Sequence, residues 1–294
     1  MYLDFYGLRE KPFSATPDPK FLYLTRSHRD ALAQLTYGVQ NDVGFVLLTG
    51  EVGTGKTTLL RTLLSRLDRA TAAAFVFNST LSFDGLLEFI LEDLGIAKGG
   101  DSPAQRLVAL NNFLIERHRT GQRTLLILDE AQNLTPETLE QIRLLSNFET
   151  PTAKLLQIVL AGQPELRTKL QLPEMRQLQQ RIPLRFSIGP LSPEETREYV
   201  YTRLRVAGAS DLGIFTPLAI QQIARRSNGI PRLVNILCDH CLVVGYADQK
   251  RRIEPDVVEE ARAYLDEDQP RRRTFGRTSY LFGLARAARA LLVR

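Results

Sequence analysis

The sequence has no tryptophan, two methionines, three histidines and two cysteines in 294 residues. Two cysteines exclude a disulfide-stapled scaffold. Cys238 and Cys241 make one C-x-x-C, with no second pair to complete a zinc site. They lie in the apolar helical pattern 233–242 and read as small buried hydrophobes in a reducing compartment. His28, His118 and His240 are scattered without ligand spacing and read as structural. No apolar run reaches the ~18 residues of a membrane-spanning helix. The start, Met1-Tyr-Leu-Asp-Phe-Tyr, lacks the basic region and apolar core of a signal peptide, so a cytoplasmic location is expected. Acidic residues are missing from 271–294, which holds seven arginines, whereas the first 270 residues carry 31 basic and 33 acidic side chains. The net charge of +5 therefore belongs to a tail, and the near-neutral body argues against a nucleic-acid groove there.

What is present is globular: 44% hydrophobic and 24% charged residues, in a chain long enough for two domains. Residues 1–40 read as a packed N-terminal segment, with Pro12, Pro17 and Pro19 among aromatics and a helix over 28–40. Apolar runs at 44–49, 72–77, 124–128 and 155–160 then alternate with helical patterns over 56–68, 83–95, 103–119 and 135–148. Strands without polar alternation are buried on both faces. The spacing therefore predicts an α/β domain over 41–190, a parallel sheet sandwiched by helices. After Ile188-Gly-Pro only helical patterns remain, at 193–207, 216–227, 231–246 and 255–267, which predicts a small all-α lid domain over 191–268. In the tail, 269–294, Leu281, Leu284, Ala285, Ala288, Leu291 and Leu292 share one helical arc, with Arg286, Arg289 and Arg294 opposite. Such a basic amphipathic helix suits an anionic membrane surface. A partner-docking helix and a DNA-gripping tail are the competing readings.

One motif carries the chemistry. Gly50, Glu51, Val52, Gly53, Thr54, Gly55, Lys56 and Thr57 match G-x-x-x-x-G-K-[ST], directly after a predicted strand and opening a predicted helix. The glycines let successive N–H groups face a phosphate, reinforced by the helix N-terminus. Lys56 is expected to reach the β- and γ-phosphates of ATP and Thr57 to ligate Mg²⁺, with Thr58 already inside the helix. The partner motif is Leu125-Leu-Ile-Leu-Asp129-Glu130, an apolar strand whose two acids emerge at the sheet's C-terminal edge. Asp129 is the expected Mg²⁺ ligand. Glu130 is the expected orienter of the attacking water, which makes the protein an ATPase.

These residues resemble an AAA+ ATPase, a P-loop NTPase. More narrowly, Tyr2 to Pro19, Leu128-Asp-Glu-Ala-Gln-Asn-Leu, Leu160-Ala-Gly-Gln-Pro-Glu-Leu and Asn228-Gly-Ile-Pro-Arg resemble the ExeA/GspA-type secretion ATPases. Relatives of that family serve pilus biogenesis, exosortase loci and TnsC/TniB-like transposition. The resemblance extends to about residue 268. It implies that Gln163 is the sensor-1 residue at the γ-phosphate, and that Arg232 is the sensor-2 arginine of the lid. It also implies that Arg181, with Arg176 as runner-up, is a finger acting on a neighbour's nucleotide, hence a ring or other homo-oligomer. Arg185, beside Phe186, reads as packed. The resemblance gives Asn78 the part of holding Glu130 from water until a partner releases it; a satisfied strand-end amide is the other reading. Phe21 and Tyr23 cover adenine by resemblance, or pack in a core.

Two functions follow. The first is an assembly motor or switch for envelope export (type II secretion, pilus or exopolysaccharide machinery), working with membrane-associated partners at the inner face of the cytoplasmic membrane. The second is a DNA-dependent transposition regulator, kept open by the arginine pairs Arg203/Arg205 and Arg225/Arg226.

Overall fold

The computed structural model describes residues 1–14, 18–68, 70–77, 81–97, 100 and 102–267. Asn78 and the tail, 269–294, lie outside the described residues. In chain order the first elements are α1 (Tyr2–Tyr6), α2 (Arg26–Gln40), β1 (Phe45–Gly50), α3 (Lys56–Arg66), β2 (Thr71–Val76), α4 (Phe83–Asp93), α5 (Pro103–Arg119) and β3 (Arg123–Leu128). Then come α6 (Pro136–Leu145), β4 (Gln157–Gly162), α7 (Pro164–Leu170), α8 (Arg176–Gln180), β5 (Leu184–Ile188), α9 (Pro193–Val206), α10 (Pro217–Arg226), α11 (Pro231–Ala247) and α12 (Pro255–Glu267). The chain divides into a sheet unit, 24–189, and a helical unit formed by 1–23 and 190 onward.

In the sheet unit all five strands are parallel, in the order β2-β3-β4-β1-β5. The reason the central strands β1, β3 and β4 are largely apolar is visible in the cores. Phe45 and Leu47 of β1, Leu126 and Leu128 of β3, and Ile158 and Leu160 of β4 enter one cluster. Their neighbours Val46, Leu48, Leu125, Ile127 and Val159 enter another. Alternate side chains leave opposite faces, so helices on both sides demand an apolar residue at every position. Four helices of this unit start at side-chain caps: Thr25, Ser82, Ser102 and Thr135 each accept from a backbone N–H three residues on.

Four strands were expected and five are found. β5 escapes the apolar-run criterion because it is an edge strand pairing with β1 alone, and Leu184-Arg-Phe-Ser-Ile alternates. Arg185 on it is exposed, not packed, and donates to the Ile182 and Gln179 carbonyls. Residues 1–40 do not form one segment. Helix α2 sends Leu32, Leu35 and Val39 into the core beneath β1, whereas Tyr6, Leu8, Phe13 and Phe21 share a core with α9 to α12.

In the helical unit, α9 and α10 begin at caps Ser192 and Thr216, each followed by proline at the first helical position. Cys238 and Cys241 are fully buried in α11, and burial pushes both thiols up, that of Cys241 to about 12. They behave as hydrophobes. Among the described residues no cluster of His, Cys, Asp or Glu could hold a metal, and no helix is long and apolar enough to cross a membrane.

Arg203 ties the N-terminal segment down. Its guanidinium lies 4.8 Å from the centre of the Phe21 ring and 5.4 Å from that of Tyr199. It donates to the Pro12 carbonyl and to the Tyr199 hydroxyl, which in turn donates to Asn235 Oδ1 at 2.8 Å. Phe21 and Tyr23 are thus core residues of this unit, Tyr23 packing edge-on against Tyr199. Arg226 is bound to Glu259, so two of the four arginines that suggested DNA are engaged within the fold. Replacing a buried, fully bonded guanidinium leaves acceptors unpaired. Arg203→Ala is expected to lower unfolding stability in urea by about 3 kcal/mol, and Arg203→Lys to recover only part of it.

Candidate nucleotide site

The site begins where β1 runs out of sheet. At Gly50 an added Cβ would sit 2.7 Å from the Ile188 carbonyl oxygen, so no other residue fits. Gly53 and Gly55 take φ of 80° and 104°, the left-handed region that lets the chain curl back before α3. Inside the curl Thr54 is wholly buried, its hydroxyl donating to the Glu51 carbonyl at 2.8 Å. The Lys56 ammonium donates to the Gly50 and Glu51 carbonyls at 2.7 and 3.0 Å. Burial lowers its pKa, while the charges of Glu130 and Asp129 pull in the opposite direction.

Asp129 follows β3 and is 3% exposed. Its own N–H donates to the Val76 carbonyl, continuing the ladder past the strand. Its Oδ2 accepts from the Thr57 hydroxyl at 2.6 Å and its Oδ1 from the Glu130 N–H at 2.9 Å. Burial raises the carboxyl pKa; these two bonds and Lys56 work against that shift. Glu130 sits in the left-handed region, φ 53° and ψ 35°, which costs a non-glycine residue about 1 kcal/mol or more. Its Oε2 accepts from Gln132 Nε2 at 2.6 Å and from Gln163 Nε2 at 3.3 Å.

Gln132 was not singled out in the sequence. It clasps both sides of the site: its amide nitrogen holds Glu130, and its Oε1 accepts the Gln163 N–H at 3.0 Å. Gly162, at the end of β4, leaves room for it, since a Cβ there would lie 2.7 Å from Gln132 Oε1. Lys169 of α7 donates to the Gln132 and Leu134 carbonyls, both at 2.6 Å. Gln132 lies within the Leu128–Leu134 stretch that carries the family resemblance, but only its contacts with Glu130 and Gln163, with room left by Gly162, give it a role.

The fold thus brings Lys56, Thr57, Asp129, Glu130 and Gln163 together at the carboxyl ends of β1, β3 and β4, where ligands of open α/β sheets bind. Glu51 and Val52 form the exposed tip of the loop, and the Thr58 carbonyl is taken by the Thr62 hydroxyl. Arg181 makes its hydrogen bonds elsewhere, to Ser146 Oγ and Asn147 Oδ1 at 2.7 Å each, beyond the end of α6. Arg176 is exposed at the start of α8. Arg232 is exposed at the second position of α11, behind Pro231, in the helical unit.

These groups fit a magnesium nucleotide. The Thr57 hydroxyl and Asp129 carboxylate are hard oxygen donors already within 2.6 Å of each other, and a glycine-built loop opens a helix with a buried cation behind it. An AAA-domain model matches residues 40–170. General secretion pathway protein A of Aeromonas hydrophila is 46% identical over 254 residues, 86% of this chain and 46% of that protein. The chain thus contains an AAA domain, and most of its length is similar to this secretion-pathway protein. It spans about half the length of that relative. Among solved structures, the Aeropyrum pernix ORC1 protein in complex with DNA matches with a TM-score of 0.65 at 20% identity, over 88% of this chain and 70% of that one. The Aeropyrum pernix ORC2 protein (ADPNP-ADP complexes) gives 0.64 at 19%, over 86% and 71%. Identities of this size establish the AAA fold alone.

The buried carboxylate carries a stability cost in this site. Because folding raises the Asp129 pKa, the ionised form disfavours the folded state, and that cost grows as pH rises through and above the ordinary aspartate range. Asp129→Asn is therefore expected to raise the melting temperature of nucleotide-free protein at pH 7. The advantage should shrink as pH falls toward the ordinary aspartate value, where the wild-type carboxyl becomes protonated.

Proposed function

We propose that the protein binds MgATP on the loop Gly50–Thr58, hydrolyses it, and uses the cycle as an assembly motor or switch for envelope export machinery. The observation that carries the hydrolytic reading is the Thr57–Asp129–Glu130–Gln132 hydrogen-bond chain beside a buried Lys56. Mg²⁺, when bound, neutralises charge on the phosphate oxygens. Lys56 exchanges its loop carbonyls for phosphate oxygens and holds ground-state charge. Thr57 and Asp129 would hold the metal. Glu130 takes the proton of the attacking water, with Gln132 fixing its carboxylate and Gln163 serving as sensor 1.

The export reading rests on the identity to General secretion pathway protein A. On this reading the protein works at the inner face of the cytoplasmic membrane, where the tail, 269–294, would meet an anionic surface. The transposition reading is weaker because Arg203 and Arg226 are spent on internal contacts. By resemblance to the family, Arg181 acts on the nucleotide of a neighbouring subunit in a homo-oligomer, Arg232 is the sensor-2 arginine, and Asn78 restrains Glu130.

Two measurements test this. Glu130→Gln should bind ATP within about twofold of wild type while phosphate release falls at least about a hundredfold; Lys56→Ala should lose binding itself. Turnover persisting in Glu130→Gln would remove that residue from its role. Arg181→Ala alone should hydrolyse poorly, yet recover activity when mixed with Lys56→Ala, because some intact sites then face intact fingers. No recovery in verified mixed assemblies would make Arg181 structural.

A further inference from the structure

Two helices of the sheet unit meet the phosphate loop. Helix α3 continues it; α2 reaches it through His28. The ring is buried, with Nε2 3.0 Å from the Thr54 carbonyl oxygen and Nδ1 2.6 Å from the Thr25 hydroxyl. A carbonyl oxygen can only accept, so Nε2 carries a proton, and in the neutral ring Nδ1 accepts from Thr25. Thr25 is itself the cap of α2 and accepts from the His28 N–H, so the ring is referenced to the start of its own helix.

The consequence lies in the peptide that follows. Every described peptide is trans, and in a planar trans peptide the C=O and N–H point in opposite directions. Holding the Thr54 carbonyl on His28 therefore turns the Gly55 N–H away from α2. Gly55 sits at φ 104°, where an added Cβ would lie 3.4 Å from His28 Nε2, so the ring backs the loop at this glycine. Among the described residues the Gly53 and Gly55 N–H groups find no protein acceptor. They are the donors that a loop of this build offers to phosphate oxygen.

We propose that His28 is a positioning residue for the phosphate loop: its hydrogen bond to the Thr54 carbonyl sets the Thr54–Gly55 peptide so that the Gly55 N–H is presented to nucleotide phosphate. The role rests on the nucleotide reading of the loop given above. It differs from that of an ordinary core histidine, because the bond runs to a phosphate-loop carbonyl 26 residues away.

The test uses the full chain and the affinity for ADP, measured by displacement of a fluorescent ADP analogue. His28→Leu fills the space without a donor, and His28→Asn keeps polarity but falls short of Thr54. His28→Gln carries an N–H about as far as Nε2. His28→Leu and His28→Asn are expected to bind ADP about tenfold more weakly, the scale of one hydrogen bond, and His28→Gln to recover most of the loss. Melting temperatures without nucleotide should not follow that order. Affinity unchanged in His28→Leu or His28→Asn, or no recovery in His28→Gln, overturns the proposal. If Lys56→Ala weakens ADP while the His28 variants do not, only the histidine's role fails. If wild type and Lys56→Ala bind ADP equally, the nucleotide reading of the loop fails and the proposal with it.

Discussion

The structure depends on one electrostatic arrangement: an ammonium and a carboxylate, Lys56 and Asp129, held almost without water at the carboxyl edge of a sheet buried on both faces. Neither charge is comfortable there. Burial lowers the lysine's pKa and raises the aspartate's, so each is pushed toward its neutral form. What keeps them is a set of short, specific bonds: two loop carbonyls on Lys56, and a hydroxyl and a backbone N–H on Asp129. The glycines, the left-handed Glu130 and the buried Thr54 are consequences of getting those partners into place. A site of this kind is favourable to a polyanion with a divalent cation because the ligand supplies the counter-charges that the fold withholds.

Most of the scaffold was legible because burial on two faces writes a plain pattern. The continuous Leu125–Leu128 run declared β3, and the glycine-lysine loop that follows β1 declared the phosphate site. Where burial is one-sided or the element is brief, the pattern fails. β5 alternates on an edge, and α1, α7 and α8 are five, seven and five residues long, too short for helical periodicity to register. The aromatic start packs through Tyr6, Leu8, Phe13 and Phe21, but a sequence cannot say against what. Its partners lie near 200–260, joined to it by pairings such as Tyr2 with Asp239 and Pro12 with Arg203.

The site was legible to the same degree and for related reasons. Residues whose type and spacing form the phosphate-loop and Asp-Glu patterns stand out in a sequence; the side chains that steady them do not, even when, like Gln132, they lie within a stretch that carries the family resemblance. Gln132 matters because Gly162, 30 residues on, leaves space for it, and His28 matters because Thr54 presents a carbonyl to it. Such relations exist only after folding. They are single polar side chains whose meaning comes from a contact, and neither composition nor spacing distinguishes them from surface amides or core histidines.

The helical unit is assembled from both ends of the described chain, with 1–23 completing a core otherwise built from 190 onward. On the ribosome this has a direct cost. Phe5, Tyr6, Phe13 and Phe21 are made before the sheet unit, yet the helices that cover them are made only after it. At ~5–20 residues per second that wait is about ten seconds or more, spent as an aromatic-rich strand of nascent chain. The sheet unit, contiguous from 24 to 189, closes on itself in the meantime. Vectorial synthesis thus gives the contiguous sheet unit the earlier opportunity to fold, while the aromatic segment 1–23 waits for its partners.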